Sequence, residues 1–275
     1  PVLSRRLGLS MGVDLLKYKT CNLDCVYCEL GRTACLTACR DRFVPRERVL
    51  KEIELRRDEP FDFLTFAGSG EPTLSLDLGQ VVSRAKRMID SPVAVITNST
   101  LLSSPTVRKE VAAADVVLPS LDAASQEAFM AINRPARGLL AGEMIQGLKD
   151  FRREYSGEIW LEVMLVRGIN DHDAERIARA AESTEPDRIQ LNTVVRTPAE
   201  PVEPLSQEEM ERMLDIFPGA ELIPDWDWSV PKSIKEQMLK LLSERELTLQ
   251  EIGLHLDLAG NDAIKYCKIL EKDGS

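Results

Sequence analysis

Residues 21–28 read CNLDCVYC, which places three cysteines in eight positions with the spacing Cys-x3-Cys-x2-Cys. Thiolates are soft ligands that suit zinc ions and iron–sulfur clusters. A structural zinc ion takes four ligands, usually as two separated pairs, and this stretch lacks both the fourth ligand and the pairing. The spacing therefore favours an iron–sulfur cluster in which one iron has no protein ligand and can bind a small molecule. The alternative is a zinc site completed by Cys35, Cys39 or a histidine.

The remaining cysteines do not form a second complete set. The chain has six cysteines, five of them between positions 21 and 39, and the sixth is Cys267. Disulfide frameworks belong mainly to small secreted domains, whereas this chain has 275 residues and shows no signal-peptide pattern. A local cysteine cluster in such a chain indicates metal or redox chemistry. We expect no second cluster, and the sequence does not assign a role to Cys35, Cys39 or Cys267.

The composition is that of a globular protein, with 44% hydrophobic and 29% charged residues. No apolar run approaches the roughly 18–20 residues that cross a bilayer, so we expect a cytoplasmic protein without a membrane segment. The net charge of −10 argues against indiscriminate binding of nucleic acid. Residues 1–60 nevertheless carry a charge of +3. The positive charge of this segment in an acidic protein indicates either that an anionic ligand binds near the cysteines or that basic residues lie on solvated helix faces.

Short β-branched runs alternate with helical patterns over most of the chain. This alternation predicts an α/β fold with parallel strands and crossover helices. The candidate strands are Gly12–Leu15, Phe63–Phe66, Val93–Thr97, Val116–Leu118, Ile159–Val166 and Ile189–Asn192. The candidate helices are Pro45–Asp58, Leu78–Ile89, Thr106–Ala113, Ser125–Ile132, Gly138–Tyr155, Ala174–Ser183 and Ser206–Ile216. The last helix is predicted to begin with a capping box, Ser206-Gln-Glu-Glu209.

The pattern changes near the C-terminus. Residues 218–231 contain three prolines and two tryptophans without a clear period, which predicts a final strand and a linker. Three short helical patterns follow and predict a winged-helix-like domain, whose two-stranded wing would begin about where the sequence stops. These patterns are Ser233–Leu242, Thr248–Leu256 and Asp262–Leu270, with Thr248 and Asn261 as N-caps. The expected organisation is residues 1–225 as the α/β domain, 226–231 as the linker and 232–275 as the winged-helix-like domain.

The stretch CNLDCVYC resembles the Cys-x3-Cys-x-aromatic-Cys signature of the radical S-adenosylmethionine (radical SAM) superfamily. Three further stretches resemble motifs of that family in the expected order. They are the glycine-rich FAGSGEPT at 66–73, ITNS at 96–99 and PSLD at 119–122. The resemblance covers about residues 5–223. It is strongest to a poorly characterised branch related to the wyosine-forming tRNA enzymes, and it implies a partial (β/α)6 TIM-type barrel, which the six candidate strands match.

The resemblance also implies a chemistry. Cys21, Cys25 and Cys28 would bind a [4Fe–4S] cluster, and S-adenosylmethionine (SAM) would chelate the open iron through its amino and carboxylate groups. In the family, the reduced cluster passes one electron to the sulfonium of SAM. SAM then breaks into methionine and a 5′-deoxyadenosyl radical, which takes a hydrogen atom from the substrate. The implied partners are an electron donor such as flavodoxin or ferredoxin and an unidentified substrate, with RNA and protein as candidate classes.

The resemblance further suggests which residues contact SAM. Tyr27 matches a position near the adenine, and the backbone at Gly70 and Glu71 would meet the SAM ammonium. Asp122 matches a position for a ribose hydroxyl, and Arg134 one for the SAM carboxylate. Each of these residues also has an ordinary structural role open to it, as a core aromatic, cap, turn residue or surface charge. The matching positions are Tyr27, Gly68, Ser69, Gly70, Glu71, Asn98, Ser99, Asp122 and Arg134.

These residues follow predicted strands, and in a parallel barrel such loops share one end, where active sites lie. Glu162 and Asn192 belong to later strands. If the side chain of Glu162 points into the barrel, it is a buried carboxylate that needs a partner. Lys17 and Lys19 flank the cysteine loop and are interpreted as balancing its charge.

Two other functions remain open at this point. One is a tRNA- or nucleic-acid-modifying radical SAM enzyme. The other is an iron–sulfur regulator whose C-terminal domain binds DNA. Residues 226–275 hold 7 Lys and Arg against 9 Asp and Glu, so the signal for phosphate binding is weak. The sequence identifies neither the substrate nor a residue for the step after hydrogen abstraction.

Overall fold

A computed structural model of the chain describes residues 1–223, 232–245, 247–256, 258, 266, 267 and 270. The chain divides into two compact units, Pro1–Pro224 and Asp225–Ser275. Within the described ranges, no helix combines the length and apolar character needed to cross a bilayer. The cytoplasmic location inferred from the sequence stays a prediction.

The first unit is built on one eight-stranded sheet, with a separate two-stranded sheet beside it. The strands are β1 (Val2–Ser4), β2 (Gly8–Val13), β3 (Thr20–Cys21), β4 (Cys35–Leu36), β5 (Phe63–Phe66), β6 (Val93–Thr97), β7 (Val116–Pro119), β8 (Glu158–Leu165), β9 (Arg188–Thr193) and β10 (Glu221–Leu222). The large sheet has the order β1-β2-β5-β6-β7-β8-β9-β10. All its neighbouring pairs are parallel except β1 with β2, which form an antiparallel hairpin.

Helices connect the parallel strands, as crossover connections between parallel strands usually do. In the first unit they are α1 (Arg46–Arg56), α2 (Leu78–Ala85), α3 (Pro105–Val111), α4 (Gln126–Ile132), α5 (Ala141–Glu154), α6 (Ala174–Glu182) and α7 (Gln207–Ile216). Short 3-10 turns occupy Pro72–Leu74, Thr100–Ser103 and Asp171–Asp173. The predicted capping box at the start of α7 is confirmed, since Ser206 and Glu209 each bond the other's backbone N–H.

The alternation of side chains along β8 shows how the sheet is covered. Leu161 and Val163 are fully buried and pack with helical residues in the two main hydrophobic clusters. Trp160, on the other face of the strand, packs instead with residues such as Leu7 and Leu118 in a smaller cluster inside the sheet. The outer face therefore meets the helices, whereas the inner face fills the concave side of a partial barrel.

Five of the six candidate strands are confirmed within one residue at each end. The sixth, Gly12–Leu15, was placed too late, because β2 begins at Gly8, where the hairpin with β1 starts. The strand ends at Val13 because the side chain of Asp14 accepts a hydrogen bond from the Leu16 N–H at 2.9 Å and turns the chain. The sequence pattern also did not predict the three-residue strand β1.

The second unit contains α8 (Lys232–Glu244) and α9 (Leu249–Leu256). Met238 and Ile252 pack with Tyr266 and Leu270 in its hydrophobic cluster. The predicted N-cap at Thr248 is confirmed, because its hydroxyl oxygen accepts a hydrogen bond from the Glu251 N–H at 3.3 Å. The predicted linker at 226–231 and most of the third helical pattern lie outside the described residues. The winged-helix-like fold stays a prediction.

Candidate active site

The cysteine loop lies between β2 and α1, at the end of the sheet where the parallel strands finish. Its first cysteine, Cys21, ends β3. The loop is tied by main-chain hydrogen bonds to the end of α4. The Asp24 N–H donates to the Asn133 carbonyl at 2.9 Å, and the Val26 N–H donates to the Ile132 carbonyl at 3.0 Å. The loop therefore has a fixed position on the folded barrel.

The loop also contacts the glycine-rich stretch after β5. The Thr20 backbone pairs with Gly70, and the Glu71 N–H donates to the Thr20 carbonyl at 3.2 Å. A Cβ atom at position 70 would lie 1.7 Å from the Thr20 oxygen, so only glycine allows this approach. At Gly68, φ is +144° and a Cβ would meet the Asp14 carboxyl group at 2.6 Å. The local backbone therefore requires glycine at both positions of the motif.

Two thiols of the motif, those of Cys21 and Cys25, lie in a desolvated environment. Burial, and next the Glu71 carboxylate, raises the pKa of the Cys21 thiol to about 12. Burial, and next the Asp122 carboxylate, raises the pKa of the Cys25 thiol well above its ordinary value. The charge of Cys28 adds to both pKa shifts, and that of Cys21 adds to the shift at Cys25. The three cysteines of the motif therefore interact electrostatically, whereas Cys35 and Cys39 are exposed.

This arrangement fits a cluster bound at several irons. Within the described residues, no three or more His, Cys, Asp or Glu side chains converge on the position of a single metal ion. In a four-iron cluster each thiolate binds a different iron, so three neighbouring sulfurs need not point at one centre. Thiols whose ionisation is disfavoured by burial and by neighbouring carboxylates need a cationic centre to stabilise their thiolates.

Each of the three sulfurs also has a side-chain N–H donor from the protein. Two of these donors, Lys19 and Asn133, were not identified as site residues from the sequence. The only available signals were the closeness of Lys19 to the cysteines and of Asn133 to Arg134. The contacts are Lys19 Nζ to Cys28 Sγ at 3.0 Å, Asn133 Nδ2 to Cys25 Sγ at 3.3 Å and Asn98 Nδ2 to Cys21 Sγ at 3.7 Å.

The side chain of Glu71 connects the loops that follow β5 and β6. Its carboxylate accepts hydrogen bonds from the Thr73 hydroxyl at 2.5 Å, the Thr97 hydroxyl at 2.6 Å and the Asn98 N–H at 2.7 Å. Burial raises the pKa of Glu71, and these bonds oppose that shift. The carboxylate is therefore occupied by the protein, and its hydrogen bond fixes the backbone of Asn98 beside Cys21. A ligand at Glu71 would therefore meet its main-chain carbonyl, which also accepts the Leu74 N–H at 3.1 Å.

A second network joins Tyr27, Asp122 and Asn133. The Tyr27 hydroxyl donates to the Asp122 carboxylate at 2.5 Å, and the Asn133 amide donates to the same oxygen at 2.8 Å. The other carboxylate oxygen accepts the Met164 N–H at 3.0 Å. Burial raises the pKa of Asp122 to about 6, and it raises the pKa of Tyr27 well above its usual range. The ribose contact expected of Asp122 stays a prediction.

The two predicted serines are held by protein partners. The Ser69 hydroxyl donates to the Asp14 carboxylate at 2.5 Å, which fixes the turn of the glycine-rich stretch. Ser99 is fully buried, has φ of +70°, and donates its hydroxyl to the Ser120 carbonyl at 2.7 Å. Ser99 thereby joins the ends of β6 and β7. Both side chains shape the loops, and their predicted contacts with SAM stay predictions.

Arg134 points to a different partner from the one expected. Its guanidinium forms a two-pronged ion pair with Glu200, which lies in the segment between β9 and α7. This pairing raises the pKa of Arg134 and lowers that of Glu200. The Glu200 N–H also donates to the Val26 carbonyl at 3.1 Å, and Arg32 lies 2.8 Å from the Glu200 carboxylate. The segment after β9 is therefore held against the cysteine loop.

The carboxylate of Glu162 has the partner that a buried charge requires. It forms an ion pair with Arg6 and accepts a hydrogen bond from the Asn192 amide at 2.8 Å. Arg5, in the β1–β2 turn, also donates to Asn192 at 3.2 Å. Contacts from this turn to β8 and β9 are possible only because the sheet curls. On the same inner face, Gly12 is exposed and a Cβ there would meet nothing within 4 Å, so this face has open space at β2.

Comparison with known proteins identifies the class. The model of the radical SAM superfamily matches residues 15–181. A UPF0026 protein of Methanocaldococcus jannaschii is 36% identical over 225 residues, which cover 79% of this chain and 70% of that protein. A protein of Brachyspira hyodysenteriae named GTPase Obg is 38% identical over 222 residues, covering 79% of this chain. That match spans only 33% of the Brachyspira protein.

The fold comparison agrees. The crystal structure of a radical SAM methyltransferase from Sphaerobacter thermophilus has a TM-score of 0.59 at 19% identity, covering 78% of this chain and 65% of that one. The chain belongs to the radical SAM superfamily. Its relatives within that superfamily include the UPF0026 proteins. This membership confirms the predicted partial barrel, the enzyme class and the two cofactors of the class, a [4Fe–4S] cluster and SAM. The roles of individual residues and the link to tRNA modification stay predictions.

Proposed function

We propose that this chain cleaves SAM reductively, with Cys21, Cys25 and Cys28 holding a [4Fe–4S] cluster at three irons and SAM bound at the fourth. The observation that supports this most strongly is the cysteine loop itself, in which the buried thiols of Cys21 and Cys25 interact electrostatically with Cys28 and whose backbone contacts Gly70. When bound, the cluster supplies the electron for the cleavage of SAM. The protein contributes the binding, the orientation and the exclusion of water.

We propose that the main chain of the glycine-rich stretch receives the ammonium of SAM. A cation of this kind requires oxygen acceptors, and carbonyl groups provide them. The carboxylate of Glu71 is already used by the threonine hydroxyls and by the Asn98 N–H. Its role is therefore to hold the stretch and Asn98 in register, and the contact with the ligand falls to carbonyl oxygens. Asn98, which touches Cys21, is placed beside the methionine portion of SAM.

Tyr27 and Asp122 are proposed to form the wall beside the nucleoside. The short hydrogen bond between them fixes the plane of the tyrosine ring, which the adenine would contact. An Asp122 side chain held at both oxygens has little freedom to move toward a ribose. A SAM carboxylate bound by Arg134 would require the two-pronged pair with Glu200 to open. We propose instead that Arg134 mainly positions the segment after β9.

The substrate is proposed to enter the concave side of the barrel. The inner face there carries Glu162 and Asn192 as well as open space at Gly12, which favours a polar substrate. A reductant such as flavodoxin or ferredoxin is the proposed electron donor. RNA and protein are the substrate classes that we propose.

The test is anaerobic reconstitution with iron and sulfide, followed by SAM and dithionite and by chromatography for 5′-deoxyadenosine. Wild type should hold about four irons and four sulfides per chain and release 5′-deoxyadenosine. Cys25→Ala should release none. Cys35→Ala is the matched control, since it removes an exposed thiol, and it should behave as wild type.

Two outcomes would overturn the proposal in different ways. A wild type that holds its cluster and binds SAM but releases no 5′-deoxyadenosine would rule out reductive cleavage and favour an iron–sulfur regulator. Zinc in place of iron after purification and reconstitution would rule out the cluster itself.

A further inference from the structure

The donor to Cys28 differs from the donors to the other two cysteines in carrying a full charge. Asn98 and Asn133 offer neutral amides to Cys21 and Cys25. Lys19 offers an ammonium group to Cys28, with 3.0 Å between Nζ and Sγ. Lysine is rarely buried unless it is paired, yet this residue is only 3% exposed. The buried cation is thus directed at one of the predicted cluster ligands.

The backbone at Lys19 is also unusual. Its φ is +55°, in the left-handed region that residues other than glycine seldom adopt. The Lys19 carbonyl accepts hydrogen bonds from the N–H groups of Ala34 and Cys35 at 3.1 and 3.0 Å. These bonds hold the strained conformation in place and so fix the direction of the side chain. Lys17, two residues earlier, is exposed and provides a comparison.

We propose that Lys19 is a positioning residue that makes the predicted cluster easier to reduce. This inference rests on the proposed function, because it requires a cluster at Cys21, Cys25 and Cys28. Reduction adds one electron to the cluster, supplied in the test by dithionite through redox mediators, and so adds one negative charge. A buried cation stabilises the more negative state more strongly, because the surroundings screen its field poorly. Hydrogen bonds and charge near the sulfurs are established means of tuning cluster potentials.

The experiment measures the midpoint potential of the reconstituted cluster by electron paramagnetic resonance during a potentiometric titration. Lys19→Met removes the charge and keeps most of the side-chain volume. Lys17→Met removes the same charge at an exposed position. At a fixed potential, Lys19→Met should lower the ratio of reduced to oxidised cluster about tenfold, which is about 59 mV for one electron. Lys17→Met should change the ratio less than about twofold, because solvent and salt screen an exposed charge.

Equal potentials in Lys19→Met and Lys17→Met would overturn the proposal. If Lys19→Met holds too little iron for titration, Lys19→Arg and Lys19→Gln replace it. Arginine keeps the charge, and glutamine keeps only an N–H donor. We then expect the wild-type midpoint potential for Lys19→Arg and a lower midpoint potential for Lys19→Gln. Equal potentials in these two variants would show that the charge of Lys19 does not affect the cluster. A wild type without iron or sulfide would instead defeat the proposed function itself.

Discussion

Replacing Gly70 with alanine tests how the cysteine loop is held. The added Cβ would lie 1.7 Å from the Thr20 carbonyl oxygen, whereas real Cβ contacts essentially never fall below 3.0 Å. Backbone atoms on both sides must therefore separate by more than an ångström. That movement would strain the loop and stretch the 3.2 Å hydrogen bond from Glu71 N–H to Thr20. Overpacking and one lost hydrogen bond together cost about 2–4 kcal/mol.

The assay combines urea unfolding of the cluster-free protein, followed by circular dichroism, with iron and sulfide analysis after reconstitution. Gly142→Ala is the matched control, because a Cβ there meets nothing within 4 Å. Gly142 lies in α5, so alanine should leave the protein unchanged or stabilise it by up to about 1 kcal/mol. Gly70→Ala should lower the free energy of unfolding and also reduce the iron bound per chain, since Cys21 directly follows Thr20.

Unfolding of Gly70→Ala within about 0.5 kcal/mol of wild type, together with a full complement of bound iron, would show that the close contact at Thr20 does not constrain the loop, since surface changes stay within that range. A loss of stability with normal iron binding would refute only the expectation that Gly70→Ala binds less iron. It would mean that the cysteine loop recovers its shape after the backbone has moved.

Three other changes have defined outcomes. Burial raises the pKa of Asp122 to about 6 in the folded, cluster-free protein. Between about pH 4 and 6 the folded protein therefore keeps a proton that the unfolded chain has released. The free energy of unfolding consequently decreases as the pH rises through that window. The free energy of unfolding of wild type relative to Asp122→Asn should therefore fall by about 2 kcal/mol between pH 4 and pH 7, and a pH-independent difference would contradict the buried carboxyl. Glu71→Gln should destabilise the protein by about 1–3 kcal/mol in urea unfolding, because one acceptor becomes a donor facing the Asn98 N–H; a neutral change would show that this network is not formed. Ser206→Ala should lower the free energy of unfolding by about 1 kcal/mol, because the side-chain cap of α7 is lost. Ser104→Ala, at a helix start without a side-chain cap, should be nearly neutral. Equal losses of stability in the two variants would contradict the capping role of Ser206.

The sequence predicted those parts of the fold that local patterns determine. β5 and β6 are short, mostly apolar runs buried on both faces, so their bounds follow from composition. β1 has three residues and is defined by its pairing with β2, which no local period reveals. The same limit displaced β2, because its start depends on that hairpin.

The site divides in the same way. The cysteine spacing and the order of the motifs are linear features, and they predicted the class and its cofactors. The donors could not be predicted in this manner, because Asn133 is 108 positions away from Cys25 and meets it only through the packing of α4. The orientation of Arg134 depends on Glu200, 66 positions later, in a segment without a periodic pattern. Such contacts are products of the tertiary fold.

The distribution of these donors has a consequence for how the cluster is acquired. Asn98 follows β6 and Asn133 follows α4, so two cysteines obtain their N–H partners only after those elements have docked on the sheet. The hydrogen bonds of Glu71 and Asp122 then fix the same two asparagines. In small zinc domains, by contrast, binding of the metal supplies much of the folding free energy. Here the hydrophobic core and the buried polar networks organise the loop, so we expect the barrel to fold before the cluster is inserted.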